Sequence, residues 1–284
     1  MLRRMKRNAL LATGIALGLF AGCANTQTAA TAPAVTPDAT AAKITAALAG
    51  AHRSEKSSAR DQYRHPAQTL AFFGLKDNMT VLELSPGGGW YTEVLAPVMR
   101  ESGKLKVTSS DPSGDPEKYG VKRAKELQEL KAAHPDVFDK LELQIVSDDV
   151  VEGFTLGEPN SVDLAVSFRS LHGWADGEAA THMLKAVFNV LKPGGTFGLV
   201  DHRANVGGEL KGGYIPEAMA IELCEKAGLK LVEKSEVNAN PKDTKDYEKG
   251  VWALPPSLSN GDTDRDKYVA IGESDRFTLK FVKP

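Results

Sequence analysis

The chain has 284 residues, a formal net charge of −2, 42% hydrophobic residues and two cysteines. This is apolar material enough for a sizeable core, and too few cysteines for a disulfide framework. No basic stripe or arginine cluster runs through the sequence, so a nucleic-acid partner is not expected.

At the N-terminus, Arg3, Arg4, Lys6 and Arg7 precede an apolar run from Ala9 to Phe20, the pattern of a secretory signal too short to span a bilayer comfortably. Residues 1–22 are therefore read as a signal peptide. Ala21-Gly22-Cys23 resembles the lipobox of bacterial lipoproteins, which implies acylation of Cys23, although Phe20 stands where that motif usually has Leu. An ordinary signal peptide with an incidental cysteine is the competing reading. Residues 23–40 would then be the lipidated cysteine and a tether of Ala, Thr and Pro, a composition that cannot bury enough apolar surface to fold. Ala24 after the cysteine, in place of Asp, resembles the outer-membrane sorting pattern. The expected location is the periplasmic face of the cell envelope.

Residues 41–284 read as a single α/β domain. Strand signals fall near 79–84, 105–110, 141–147, 161–168, 196–201, 229–237 and 275–282, and helix signals near 42–50, 55–74, 90–101, 116–133, 177–191 and 215–227. The alternation predicts a mostly parallel, seven-stranded sheet with helices on both faces. Its last two strands have no helical pattern between them, so they form an antiparallel hairpin. Residues 238–273, rich in charge, Pro and Gly, are expected to be one long loop. Cys224 lies on a helical pattern and reads as a small core residue.

The stretch Val81-Leu82-Glu83-Leu84-Ser85-Pro86-Gly87-Gly88-Gly89 puts a buried strand and an acid before a glycine turn that leads into a helix. Such a turn suits a nucleotide, because glycine reverses the chain with positive φ and lets a ligand approach the backbone. Taken with Asp111, Ser147-Asp148, Val162-Asp163-Leu164-Ala165-Val166 and Leu191-Lys192-Pro193-Gly194-Gly195, the order resembles the class I S-adenosylmethionine-dependent methyltransferases, from about Tyr63 to Pro284. Tyr63-Arg64-His65-Pro66 upstream and Asp201-His202-Arg203 downstream resemble an exported bacterial subgroup of predicted methyltransferases.

That resemblance implies a Rossmann-like fold, S-adenosyl-L-methionine as cofactor and a small-molecule methyl acceptor. It places Glu83, Ser85, Gly87 and Gly89 toward the methionine part of the cofactor, Asp111 toward the ribose hydroxyls and Asp148 toward the adenine amino group. Asp149 is the substitute if the register slips by one. Ser85 stands at the first glycine position of the motif, and since serine tolerates positive φ poorly, the turn is expected to take a different course there.

Methyl transfer needs alignment and removal of the acceptor's proton, and no metal. His172 and His202 follow the fourth and fifth strands, where open α/β sheets bind ligands, and are candidate bases. His65, before the first strand, is a third. A metal held by these three is conceivable, but no ligand-like spacing supports it. His52, His134 and His182 are expected to face water.

Two other functions compete. An envelope lipoprotein could keep the fold as a non-catalytic ligand-binding or interaction module, since the cofactor is made in the cytosol and an exported enzyme needs a supply of it. A nicotinamide-dependent oxidoreductase is disfavoured because Gly87-x-Gly89-x-x-Thr92 lacks the third small residue.

Overall fold

The computed structural model describes residues 39–284, so the signal peptide, Cys23 and nearly all of the tether lie outside the described residues. In chain order the elements are α1 (Ala39–Leu48), α2 (Glu55–Ser58), α3 (Asp61–Arg64), α4 (Pro66–Phe73), β1 (Thr80–Leu84), α5 (Thr92–Met99), β2 (Lys104–Ser109), α6 (Tyr119–Ala133), α7 (Pro135–Phe138) and β3 (Glu142–Ile145). There follow β4 (Val162–Phe168), α8 (Leu171–Trp174), α9 (Ala179–Val190), β5 (Leu191–His202), α10 (Glu217–Lys226), β6 (Lys230–Ser235), a 3-10 turn at Gly250–Ala253, α11 (Arg265–Ile271) and β7 (Arg276–Val282).

The sheet has seven strands in the order β3-β2-β1-β4-β5-β7-β6. The first five pair in parallel, while β7 lies antiparallel between β5 and β6. Strand order reverses between β1 and β4, which is where such sheets open a ligand crevice. The central strands read as nearly continuous apolar runs because both faces are covered. Alternation sorts their side chains: Leu82 and Leu84 pack under α9 with Phe197, Leu199 and Val187, whereas Val81 and Val107 join Leu70, Phe73 and Leu95 on the opposite face.

Three expectations are corrected. The helix expected over 55–74 is three short helices, broken around Arg60 and again at His65, whose φ of 40° is left-handed. Pro66 causes the second break, because the ring clashes with an α conformation at the residue before it and Pro itself starts α4 well. Residues 238–273 are not one loop, since Tyr268 of α11 forms a small buried cluster with Ala253 and Leu254. Finally, β5 begins at Leu191, and the Lys192-Pro193-Gly194-Gly195 turn is an irregularity within it.

One packing contact fixes a helix that matters below. A Cβ at Gly198 in β5 would lie 2.5–2.7 Å from ring atoms of Phe73, so α4 rests directly on bare strand backbone. Cys224 is fully buried, as expected, and burial pushes its thiol pKa up.

Candidate active site

A cavity of about 680 Å³ lies at the C-terminal ends of the parallel strands, within the size range of small-molecule sites. Its first wall is the turn after β1. Ser85 does adopt a left-handed conformation, with φ of 47°, contrary to the expected change of course, and its N–H donates to Thr108 Oγ1 at 2.8 Å. Gly87 has φ of 60° and nothing within 4 Å of where a Cβ would sit, which leaves its backbone open to a ligand. Gly89 serves differently. A Cβ there would lie 3.0 and 3.1 Å from Leu130 and Leu127, so this glycine lets α6 approach the turn, and it does not line the cavity.

Glu83 is also off the cavity wall. It is 1% exposed and accepts a hydrogen bond from Thr92 Oγ1 at 2.6 Å, tying β1 to the first turn of α5. Burial pushes its carboxyl up to about 7, against the Thr92 hydrogen bond.

The wall formed after β2 and β3 is polar and open. Ser110 Oγ donates to Asp148 Oδ1 at 2.6 Å, and Asp148 lines the cavity while its neighbour Asp149 does not. Asp111 is exposed and adjoins this wall without lining it. Its Oδ1 accepts from the Ser113 hydroxyl and N–H at 2.7 and 2.8 Å, bonds that lower its pKa.

The β4–β5 wall is of another kind. Asp201, fully buried near the end of β5, accepts from the His172 N–H at 3.0 Å and the His202 N–H at 2.7 Å. Its Oδ1 also lies 2.8 Å from His172 Nδ1. A carboxylate so placed fixes the proton on Nδ1 and leaves Nε2 of His172 as the free ring nitrogen. The His202 ring lies tilted beside it with ring centroids 5.1 Å apart, and its Nδ1 pairs with Ser274 Oγ. Burial, then the charges of His172, Arg169, Arg276 and Arg64, lowers the His202 pKa well below the ordinary value, so this ring stays neutral. His172 and His202 both line the cavity and His65 does not; His65 caps the α3–α4 break.

The sequence reading placed Asp201 in the Asp201-His202-Arg203 motif but assigned it no role of its own. It also assigned none to four arginines, Arg60, Arg64, Arg169 and Arg276, that surround Glu273 at this end. Arg60 and Arg64 are close in sequence, but Arg169 and Arg276 come from distant parts of the chain, so no local pattern could group all four. His52, expected to face water, is half-buried with Nε2 2.7 Å from the Glu93 carbonyl, and His134 and His182 are half-buried too.

Residues 58–234, more than half of the chain, match the family described as a methyltransferase domain. The chain belongs to this methyltransferase family. Solved structures share its fold at low identity. An S-adenosylmethionine-dependent methyltransferase from Aquifex aeolicus aligns with 86% of the chain and 98% of its own at 19% identity and a TM-score of 0.51. A candidate sarcosine dimethylglycine methyltransferase from Galdieria sulphuraria gives 80%, 86%, 17% and 0.55 in the same terms. The 4+2 cyclase SpnF gives 87%, 94%, 14% and 0.54. Among curated proteins, none matches the chain.

A methyltransferase domain implies a bound methyl donor, and the cavity has the room and the polar partners for one such as S-adenosylmethionine. The open backbone at Gly87 can receive the amino-acid end, and Ser110 with Asp148 offers polar partners to the adenosine end.

Proposed function

We propose that the enzyme methylates an oxygen or nitrogen nucleophile of a small molecule, with His172 as general base. The observation that carries this reading is the Asp201–His172 pair on the cavity wall, 2.8 Å apart, with Nε2 unpaired. When bound, S-adenosylmethionine supplies a methyl group on a positively charged sulfur. Nε2 of His172 would take the proton from the acceptor atom as that atom gains the methyl, the sulfonium leaving as a neutral thioether. Asp201 holds the ring in the required tautomer and stabilises the imidazolium that results. His202, kept neutral, positions the acceptor through its own ring and its Ser274 partner. On the cofactor side, Gly87 and Ser85 would cradle the amino-acid end, Asp111 the ribose and Asp148 the adenine. Glu83 and Gly89 would act indirectly, by fixing the turn, while Asp149 and His65 would contact no ligand.

The test uses methyl-labelled cofactor and fractions of envelope extract. His172→Ala should lower methyl transfer by roughly 10²–10⁴-fold and leave S-adenosylhomocysteine affinity unchanged. Equal transfer by wild type and variant would remove His172 from this role. Binding of the cofactor by wild type without transfer to any fraction would favour the non-catalytic module.

We also infer an envelope lipoprotein anchored through Cys23, supported by the basic segment, the short apolar run and Ala21-Gly22-Cys23. Palmitate labelling that is equal in wild type and Cys23→Ala would refute it.

A further inference from the structure

Glu273 lies just before β7 and lines the cavity beside Ser274. Its carboxylate is 2.6 Å from Arg60 Nε, 3.1 Å from Arg64 Nε and 2.9 Å from Arg276 Nη2. Burial raises the Glu273 pKa, but Arg64, Arg276, Arg169 and Arg60 outweigh it and hold the carboxyl well below the usual range. Three guanidinium groups contact this one carboxylate and Arg169 adds its field, so positive charge exceeds negative. Burial, then the charge of Arg169, lowers the Arg64 pKa well below its ordinary value.

Of the four, Arg60 and Arg64 keep unpaired buried donors, and Arg169 lines the cavity. Arg64 is 1% exposed, yet its Nη1 and Nη2 have no hydrogen-bond partner, and its guanidinium carbon sits 4.4 Å from the centre of the Trp90 ring. Native proteins rarely leave a buried charged group so under-used, because its desolvation is expensive. Arg169 follows Phe168 at the end of β4, in a left-handed conformation with φ of 61°. It lines the cavity, as do His172, His202 and Glu273. Burial lowers its pKa to about 10, so it remains a cation at neutral pH.

The sign of this field decides between two ligands. His172, Asp201 and His202 place possible ligand atoms within 4.8 Å of one another, as a metal ion would need. But the oxygens of Asp201 already accept three N–H groups, and the neighbouring arginines repel a cation. The wall is built for an anion.

We propose that the methyl acceptor is an acid, whose oxyanion is held by Arg169 on the cavity wall, within the positive field of Arg60, Arg64 and Arg276 around Glu273, while its nucleophilic atom faces His172. The oxyanion is a carboxylate or a phosphate monoester, since a planar guanidinium fork matches either. This inference rests on the assignment of the histidine wall to the acceptor, but not on His172 being the base.

Two probes test it without turnover. Acetate and inorganic phosphate are titrated, at constant ionic strength, into protein saturated with S-adenosylhomocysteine, with acetamide as the neutral match and tryptophan fluorescence and calorimetry as readouts. At least one anion should bind with Kd of about 1 mM or below and about tenfold or more tighter than acetamide. The preferred anion identifies the oxyanion. Arg169→Gln should weaken that binding about tenfold while changing S-adenosylhomocysteine affinity less than about twofold, and Arg169→Lys should fall between. The Lys variant replaces Gln if the latter does not fold. No preference for either anion over acetamide overturns the proposal. So does a loss of S-adenosylhomocysteine affinity in the variants as large as the loss for the anion, because the arginines would then serve the cofactor's own carboxylate. His172→Ala should bind the anions as wild type does, so failure of the base assignment and failure of this one are separable.

Discussion

The two walls of the cavity differ in how their polar groups are held. On the β2–β3 side, Ser110, Asp111 and Asp148 are on or near the surface and bond mostly to neighbours one or two residues away or to one another. On the β4–β5–β7 side, Asp201 and Glu273 are buried and each gathers donors from separate segments. An exposed carboxylate can wait for a ligand at little cost in stability. A buried one must be balanced by the protein first, which fixes geometry and makes that wall suited to chemistry more than to simple binding.

If this contrast is right, the largest loss follows from Asp201→Asn. The amide would face three N–H donors with only one acceptor oxygen and no charge, and Nδ1 of His172 would no longer be held protonated. Methyl transfer should fall by at least about 10²-fold, with a changed pH profile and intact cofactor binding. A profile unchanged in shape would mean that Asp201 only supports the fold.

Between the walls, Glu83 offers a stability test of intermediate size. Its folded carboxyl titrates near 7, above the ordinary 4.5 expected when unfolded. A raised carboxyl is stabilising while protonated, so its contribution is whole below about 4.5 and is lost as pH rises through about 7. Glu83→Gln should therefore gain stability over wild type by about 2 kcal/mol between about pH 5 and pH 8, read from denaturant midpoints. A constant difference at both pH values would show that Glu83 is ionised throughout.

The smallest effect belongs to the exposed wall. Asp111→Ala should weaken S-adenosylhomocysteine binding about tenfold, since water at this exposed site replaces most of the lost hydrogen bonding, whereas Asp149→Ala should have no measurable effect in calorimetry. The reverse order would move the ribose contact to the β3 loop.

The strands were readable because buried apolar runs bounded by glycine and charge leave little ambiguity, and the β6–β7 pairing followed from the absence of a helical pattern between them. The break at His65 was written in the sequence too, as a residue before proline, but the surrounding helical period masked it. α11 was hidden by charge, since only Tyr268 of its residues is buried. In the site, the glycine turn was legible as a turn, but not the course of Ser85 within it, nor that Glu83 and Gly89 lie off the cavity wall, because those depend on what packs against the turn. The partners of Glu273 were not legible, since Arg60 and Arg276 lie at opposite ends of the domain and meet only through the sheet.

The contact between Gly198 and Phe73 bears on how mutational data for this protein would read. Position 198 faces the ring of Phe73 and holds no ligand, yet even alanine there would press on α4, whose first residue follows Arg64 by only two positions. A shift of that helix would carry Arg64 away from Glu273 and Trp90. In a saturation scan scored by activity, Gly198 should thus be as intolerant as the residues of the cavity wall, and a map drawn from such scores alone would place a strand glycine inside the active site.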